Sequence, residues 1–353
     1  MIQTIGLLLL TLSPALEEGT HDMKSVGALA FSPDGVLFVA DSKGGAVFAI
    51  APAKSSDRPA DARHDIEGID RKIAALLGTT ADEILIHDLA IAPSNGWAYL
   101  SVSRGRGPDA IPVLMHVAPG GEVAELELKH RKVSRAVLRD LPEDDPSNRR
   151  NPRNDAITDL LFVEGRLMVA KISNEAFSSQ FSVIPYPFGD AGEGTTVEIF
   201  HGAHGKLETN APIRTFTAYE IGGEPYLLAA YTCTPLVKIP IAALKPGASI
   251  RGTTIAELGN RNRPLDMVVY EKDGKDHILI ANSARGVMKV TTTGIGEIEG
   301  ITEKVGRGDT AGLTYNTIDW LKGVVQMDRL DAGHVALLIE ESGRIDLRTI
   351  ELP

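Results

Sequence analysis

Six copies of one short pattern run through the chain, and this repeat limits the fold more than any other feature does. Each copy consists of an apolar strand that ends in a small or polar residue, a turn rich in Ser or Gly, and a second apolar strand. The clearest copies are residues 39–50 and 280–290, and the weaker ones are residues 100–105, 169–174, 230–234 and 339–343. Repeats spaced roughly 50 to 70 residues apart are typical of architectures built from similar structural units.

A further strand and turn precede these hairpins. In the first unit, the apolar residues 29–31 are followed by Ser32-Pro33-Asp34-Gly35, a turn that fits a β-hairpin. Each unit is therefore a meander of antiparallel strands, as the blade of a β-propeller requires. The sequence predicts an all-β fold, a six-bladed β-propeller.

The predicted blades form one domain, because the blades of a propeller share a continuous core. They cover residues 24–51, 84–128, 156–200, 212–257, 264–300 and 315–352. Between blades one and two, Ile66, Ile69, Ile73 and Leu76 follow helical spacing and Gly78 closes the run, which predicts a short helical insertion. We expect residues 130–155 and 186–211 to be excursions on the surface.

The N-terminus allows two interpretations. Residues 5–12 are almost entirely apolar and are followed by Ser13-Pro14-Ala15, as in a secretory signal, but no Lys or Arg precedes them. If residues 1–16 are a signal peptide, the propeller domain covers residues 17–353 and the protein is periplasmic or secreted. If they form a first strand, the protein is cytoplasmic. No other stretch approaches the ~20 apolar residues of a membrane span, so we predict none.

Charge and cysteine content exclude several classes of partner and site. The formal net charge of −11 argues against a nucleic-acid partner, because proteins that follow a phosphate backbone carry a basic stripe. The single cysteine, Cys233, excludes an intrachain disulfide and a zinc site made of thiolates. Cys233 ends the second strand of blade four and is a candidate ligand-binding residue. As a nucleophile it needs a neighbouring base, and the sequence names none.

Acidic residues recur where the innermost strands of the predicted blades begin. Asp88, Asp159, Asp266 and Asp319 hold this position in four of the six blades. Because these strand starts meet at one mouth of the channel, the carboxylates repel one another unless a cation, a basic side chain or backbone amides compensate. Two roles stay open. The residues either link blades by accepting backbone N–H groups, or they bind a ligand or a divalent cation such as calcium, with Asp88, Asp159 and Asp266 as metal ligands.

Other polar residues are expected at the same mouth. His87 stands beside the acidic position of blade two and is a candidate acid or base, and Arg214 comes one residue before the matching position of blade four. The ends of the second strands add Asp41, Asn282 and Arg285 as candidate ligand-binding residues. For Asp41 and Asn282 the alternative is turn formation.

A loop between blades three and four contains the sequence His201-Gly202-Ala203-His204-Gly205. Two histidines in this spacing, flanked by glycines, either hold one metal ion together or belong to a flexible polar turn. His201 is a second candidate acid or base, and His204 is a candidate ligand-binding residue.

The segment Phe31 to Ser42, FSPDGVLFVADS, resembles blades of the six-bladed propeller superfamily that includes NHL-repeat proteins and the gluconolactonase or regucalcin-like hydrolases. The match covers blades one and five well and the others loosely. The resemblance implies a divalent cation held by Glu, Asn and Asp at the starts of inner strands, where Asp88, Asp159 and Asp266 stand in this chain. The Asn-Gly signature of the hydrolases is absent from these strand starts.

Three functions remain open from the sequence alone. The one we favour is an exported propeller that binds a small polar molecule or a protein partner at its loop-rich rim. One alternative is a metal-dependent hydrolase or lyase of the lactonase-like type, with a cation in the acidic ring and His87 or His201 as acid or base. The other is a quinone-cofactor dehydrogenase, a chemistry that some propellers host.

Overall fold

The computed structural model describes residues 17–18, 22–51, 59, 62–145, 147–148, 150–174, 178–233, 235–306 and 308–353. Within these residues the chain forms six antiparallel sheets whose inner strands contact one another in a ring, so the predicted six-bladed β-propeller is confirmed. Residues 1–16, which carry the predicted export signal, lie outside the described residues. No helix in the described part of the chain is long and apolar enough to cross a membrane.

Each blade has four strands, in order from the channel outward. Blade one has Leu29–Phe31, Leu37–Asp41, Ala46–Ile50 and Lys132–Val137, with Glu17–Glu18 at its edge. Blade two has Ile84–Ile91, Ala98–Arg104, Ile111–Val117 and Val123–Glu125. Blade three has Ile157–Val163, Arg166–Ile172, Ser179–Pro185 and Thr195–His201, with Lys206–Glu208 and Ser249–Arg251 paired to its last strand.

Blade four has Ile213–Ile221, Glu224–Tyr231, Pro235–Pro240 and Thr253–Glu257, with Ala311–Gly312 at its edge. Blade five has Pro264–Lys272, Lys275–Asn282, Gly286–Thr291 and Tyr315–Ile318. Blade six has Val324–Arg329, His334–Glu341, Arg344–Glu351 and Asp65–Ile66. The short 3-10 helices are Ala81–Glu83, Pro152–Asp155 and Ile241–Ala243.

The one α-helix of the described residues, Ile69–Leu76, lies between blades one and two in the sequence, as predicted. Its buried residues Ile69 and Ile73 pack with apolar side chains of blades two and six. Gly68 precedes the helix with φ of 62°, a left-handed conformation that glycine adopts without strain. The insertion therefore covers the contact between two blades that are far apart in the sequence.

The order of the blades around the ring differs from their order along the chain. Blade two lies between blades six and one, and blade one contacts blade three on its other side. The chain leaves blade one after three strands, adds Asp65–Ile66 to the edge of blade six, builds blade two, and returns with Lys132–Val137 as the outer strand of blade one. Two blades are thus each assembled from distant parts of the chain, which closes the ring on both sides of blade two.

Two of the predicted boundaries are wrong. The segment 130–155 is not only an excursion, because Lys132–Val137 pairs with the third strand of blade one and buries Val133, Ser134 and Ala136. Tyr315–Ile318 is the outer strand of blade five rather than the start of blade six, whose inner strand begins at Val324. Asp319 therefore lies in an exposed turn, and the acidic residue on the inner strand of blade six is Asp328.

Apolar side chains fill the contacts between neighbouring blades. Six buried clusters occur in the described residues, and each combines side chains from two blades that are adjacent in the ring. Between blades one and three, for example, the rings of Phe38 and Phe162 stack with centroids 5.3 Å apart. Since burial of a large apolar side chain stabilises a fold by roughly 1.5–3 kcal/mol, these contacts hold the ring together.

Candidate functional site

A cavity of about 640 Å³ opens at the mouth of the channel where the inner strands begin. Neighbouring strands of a blade are antiparallel, so the start of the first strand, the end of the second and the loops between blades lie on this same face. Small-molecule sites usually have volumes of about 300–1,000 Å³. The charged side chains of its lining are Lys24, Lys43, Arg106, Arg214, Arg263, Asp88, Asp144, Asp155, Asp159 and Asp266.

Five of the residues predicted from the sequence line this cavity. They are His87, Asp88, Asp159, Arg214 and Asp266. The strand starts of blades two, three, four and five therefore do converge, which the repeat alone predicted. What these residues do at the mouth depends on their hydrogen bonds.

Asp88, Asp159 and Asp266 each join the inner strands of two neighbouring blades. Each follows a β-bulge in its strand, an irregularity that changes where a side chain points. One carboxylate oxygen accepts the N–H of the next residue in the chain, at 2.7 or 2.8 Å. The other accepts an N–H from the adjacent blade, donated by Leu29 to Asp88 (2.6 Å), by Phe216 to Asp159 (2.8 Å) and by Met327 to Asp266 (2.7 Å).

Asp328 makes a fourth link of the same kind, which was not predicted from the sequence. Its carboxylate accepts the N–H groups of Ile91 in blade two, at 2.6 Å, and of Arg329, at 2.7 Å. The other linking aspartates precede an apolar residue, whereas Arg329 follows Asp328 and breaks that pattern. Asp328 also lies near the end of its strand, Val324–Arg329, whereas the other three were predicted at strand starts.

The pKa values of the linking carboxyl groups are raised. Burial raises the pKa of Asp159 to about 7 and that of Asp328 to about 6. The N–H groups favour the charged form and lower both pKa values, but the effect of burial is larger. Burial also raises the pKa of Asp88 and Asp266, and the negative charges of the neighbouring linking aspartates raise both pKa values further. The mutual repulsion expected from the sequence is therefore present.

The hydrogen bonds of Asp88, Asp159 and Asp266 bear on the predicted cation site. Each oxygen of these three carboxylates accepts one backbone N–H group. Among the described residues, the one set of three His, Cys, Asp or Glu side chains whose ligand atoms gather within 4.8 Å of one another is His201, His204 and Glu208. The three aspartates do not belong to this set, so the geometry supports their linking role, and calcium binding by them stays a prediction from the sequence.

His87 and Arg214 supply the cavity with nitrogen atoms. The Nε2 atom of His87 lies 2.7 Å from Ser103 Oγ, and burial lowers the pKa of the imidazole, which favours its neutral form. Arg214 is half-buried, and its Nε donates to Thr232 Oγ1 at 2.9 Å. No group in the described part of the chain accepts a hydrogen bond from the terminal Nη1 or Nη2 of Arg214.

A second arginine stands near the first. Burial and then the charge of Arg263 lower the pKa of Arg214 to about 10, and the negative charge of Asp155 offsets part of this effect. The guanidinium of Arg263 is exposed and likewise has no hydrogen-bond partner among the residues that the structure describes. Two cationic side chains thus face one cavity with unused donors.

The other predicted residues lie outside the cavity lining, which contains none of Asp41, Cys233, Asn282, Arg285, His201 and His204. The buried Asp41 accepts backbone N–H groups from Lys24, Ser25 and Gly44. Asn282 accepts a hydrogen bond from Asn262 at 2.9 Å. Turn formation, the alternative that the sequence left open for Asp41 and Asn282, agrees with these bonds. Arg285 donates to the carbonyl of Asn260 at 3.3 Å.

The remaining predicted positions have other surroundings. Cys233 has φ of 68° and donates its backbone N–H to the carbonyl of Asn262. His201 and His204 belong to a hairpin at the outer rim of blade three.

One loop of the lining was not predicted as part of a site. Residues 141–155 contribute side chains to the cavity wall, namely Asp144, Asn148, Asn151, Asn154 and Asp155. Arg153 fixes this loop to blade one, since its Nε donates to the carbonyl of Ser42 at 2.7 Å. The segment was predicted to be a surface excursion. Its position between two blades, on the face where such loops collect, was the signal that could have assigned it to the site.

Fold and site together define a six-bladed β-propeller with a polar cavity at one mouth of its channel. No protein-family model matches the chain, and no curated protein matches it significantly. Solved structures similar to it include the PQQ-bound aldose sugar dehydrogenase of Streptomyces coelicolor, with 11% identity over 96% of this chain and 97% of that one and a TM-score of 0.39. Another is virginiamycin B lyase of Staphylococcus aureus, with 9% identity over 96% and 98% of the chains and a TM-score of 0.37. Similarity at this level carries no information on the chemistry of the site.

Proposed function

We propose that the cavity binds a small polar molecule that carries an acidic group, and that the protein works as a binding protein at this mouth. The observation that carries the proposal is Arg214, a half-buried cation whose terminal nitrogens have no hydrogen-bond partner in the described residues. A carboxylate or phosphate group would accept hydrogen bonds from Nη1 and Nη2. It would also reduce the repulsion between Arg214 and Arg263.

The polar uncharged side chains of the lining suit hydroxyl groups on the ligand. Among them, the serine and amide side chains are Ser25, Ser42, Ser103, Asn148, Asn151, Asn154 and Gln326. A hydroxylated acid, such as a sugar acid, has groups for both parts of the wall.

The hydrolase and dehydrogenase alternatives stay predictions from the sequence. Metal-dependent hydrolysis depended on a cation among Asp88, Asp159 and Asp266, and these carboxylates link blades. No observation in the described part of the chain favours a quinone cofactor. Simple binding requires only the shape, the hydrogen-bond donors and the charge that the cavity has.

Calorimetric titration with sugar acids, sugar phosphates and dicarboxylates, each beside an uncharged analogue, tests this proposal. We expect at least one acid to bind more tightly than its analogue. The Arg214→Met variant should bind that acid about 10- to 100-fold more weakly, because a hydrogen bond to a charged group contributes about 1.5–3 kcal/mol.

Arg71→Met is the matched control, since Arg71 is exposed on the helix Ile69–Leu76 and lies outside the cavity lining. This variant should bind the acid as the wild type does. The proposal is wrong if no acid binds better than its uncharged analogue, or if the two arginine variants bind equally well.

A further inference from the structure

We propose that His201, His204 and Glu208 bind a divalent cation of the zinc class at a site separate from the axial cavity. The three residues lie in the hairpin of strands Thr195–His201 and Lys206–Glu208, at the outer rim of blade three. Their ligand atoms lie within 4.8 Å of one another, a condition that no other set of three such side chains meets in the described part of the chain.

One carboxylate contacts both imidazoles. Glu208 Oε1 contacts Nδ1 of His201, and it lies 3.0 Å from Nδ1 of His204. The centroids of the two rings are 3.9 Å apart. Metal bonds of about 2.0–2.2 Å in a tetrahedral site place the ligand atoms roughly 3.3 Å from one another. Small side-chain shifts therefore convert the observed cluster into a coordination sphere.

The ring of His201 carries an independent sign of a bound ion. The side chain is 1% exposed, and its Nε2 atom is buried without a hydrogen-bond partner. A buried ring nitrogen without a partner is unfavourable, so the protein alone does not satisfy this imidazole.

The turn between the two histidines is held by the neighbouring blade. The N–H of Gly202 donates to Glu257 Oε1 at 2.5 Å, and the carbonyl of Gly202 accepts the N–H of Val305 at 2.9 Å. A Cβ atom on Gly202 would approach Glu257 Cγ to 2.8 Å, so glycine is needed for this close packing. Because the backbone is fixed in advance, little ordering accompanies the binding of an ion.

Burial and ligand type indicate how an ion reaches the site and which ion it is. The side chain of Glu208 is 7% exposed and that of His204 is 47% exposed, so the cluster is open to solvent on the His204 side. Two imidazoles and one carboxylate favour Zn²⁺ over Ca²⁺ and Mg²⁺, which prefer oxygen ligands. Three protein ligands leave a fourth tetrahedral position for water or for an atom of another molecule.

Calorimetric titration of the metal-stripped full chain with Zn²⁺ tests the site. We expect one ion per chain. His204→Ala and Glu208→Gln should each weaken binding by about tenfold or more, the range seen even for residues that only orient a ligand. His204 is exposed, so its replacement should not disturb folding, and thermal unfolding without metal checks this. His130→Ala removes an exposed histidine in the loop after blade two and should bind Zn²⁺ as the wild type does.

The visible spectrum of the Co²⁺-loaded protein gives a second readout. We expect a tetrahedral Co²⁺ spectrum in the wild type and in His130→Ala, and its loss in His204→Ala. Zinc affinity that is unchanged in His204→Ala would overturn the proposal. So would zinc binding that is lost in Asp266→Asn and kept in His204→Ala, because the ion would then lie at the axis.

Discussion

Replacing Asp159 with alanine is expected to lower the free energy of unfolding by about 2 to 4 kcal/mol at pH 5. The alanine variant leaves two backbone N–H groups without their acceptor, that of Leu160 in the same blade and that of Phe216 in the next one. Each unsatisfied buried donor costs about 1–3 kcal/mol. Denaturant unfolding at pH 5 measures the loss of this acceptor. At that pH the carboxyl of Asp159 is mostly protonated in the folded protein, so its negative charge contributes little.

Asp319→Ala is the matched control for this prediction. Asp319 has the position that the sequence predicted for a fourth axial aspartate, but it lies in an exposed turn. Its replacement should change the free energy of unfolding by no more than about 0.5 kcal/mol. Equal effects of the two substitutions would show that Asp159 does not link blades three and four.

The second large effect concerns pH. The folded pKa of Asp159 is about 7, above the value of about 3.9 of an unfolded aspartate, so the folded state holds the proton more strongly. The resulting stabilisation is fully present below pH 4 and is lost as the pH rises through 7. We expect this one group to remove roughly 2 to 4 kcal/mol of stability between pH 4 and pH 8, since one pKa unit corresponds to about 1.4 kcal/mol.

A comparison with Asp159→Asn isolates this contribution. His87 and His201 have lowered pKa values because of burial, and groups of that kind make stability rise with pH. The wild-type profile therefore sums opposite trends, whereas the difference between wild type and Asp159→Asn reports Asp159 itself. We expect the wild type to lose stability relative to the variant as the pH rises from 4 to 8. Parallel profiles would contradict the raised pKa.

The three inner strands of each blade were predictable because they are encoded locally. A strand, a turn with glycine or proline and a second strand lie within a few residues of one another, so a single sequence shows them. The ring order was not predictable, because it depends on contacts between distant segments. Asp65–Ile66 pairs with blade six and Lys132–Val137 with blade one. The sequence of neither short segment indicates which strand it pairs with.

The candidate site was predictable in position more than in role. The convergence of Asp88, Asp159 and Asp266 follows from their repeated rank at strand starts. Whether they bind a cation or link blades depends on which N–H groups face them. A sequence does not contain the distances between these N–H groups and the carboxylates. The terminal nitrogens of Arg214, which have no acceptor among the described residues, and the packing of Asn151 and Asp155 into the cavity wall likewise depend on how remote segments meet.

One titration tests most directly the claim that the carboxylates link blades while the cations bind the ligand. The acid that binds most tightly in the screen is titrated at pH 8 into wild type, Asp159→Asn and Arg214→Met. We expect Asp159→Asn to bind the acid at least as tightly as the wild type, because a negative charge has left the cavity, and Arg214→Met to bind about 10- to 100-fold more weakly. Binding that is lost in Asp159→Asn and kept in Arg214→Met would contradict this division.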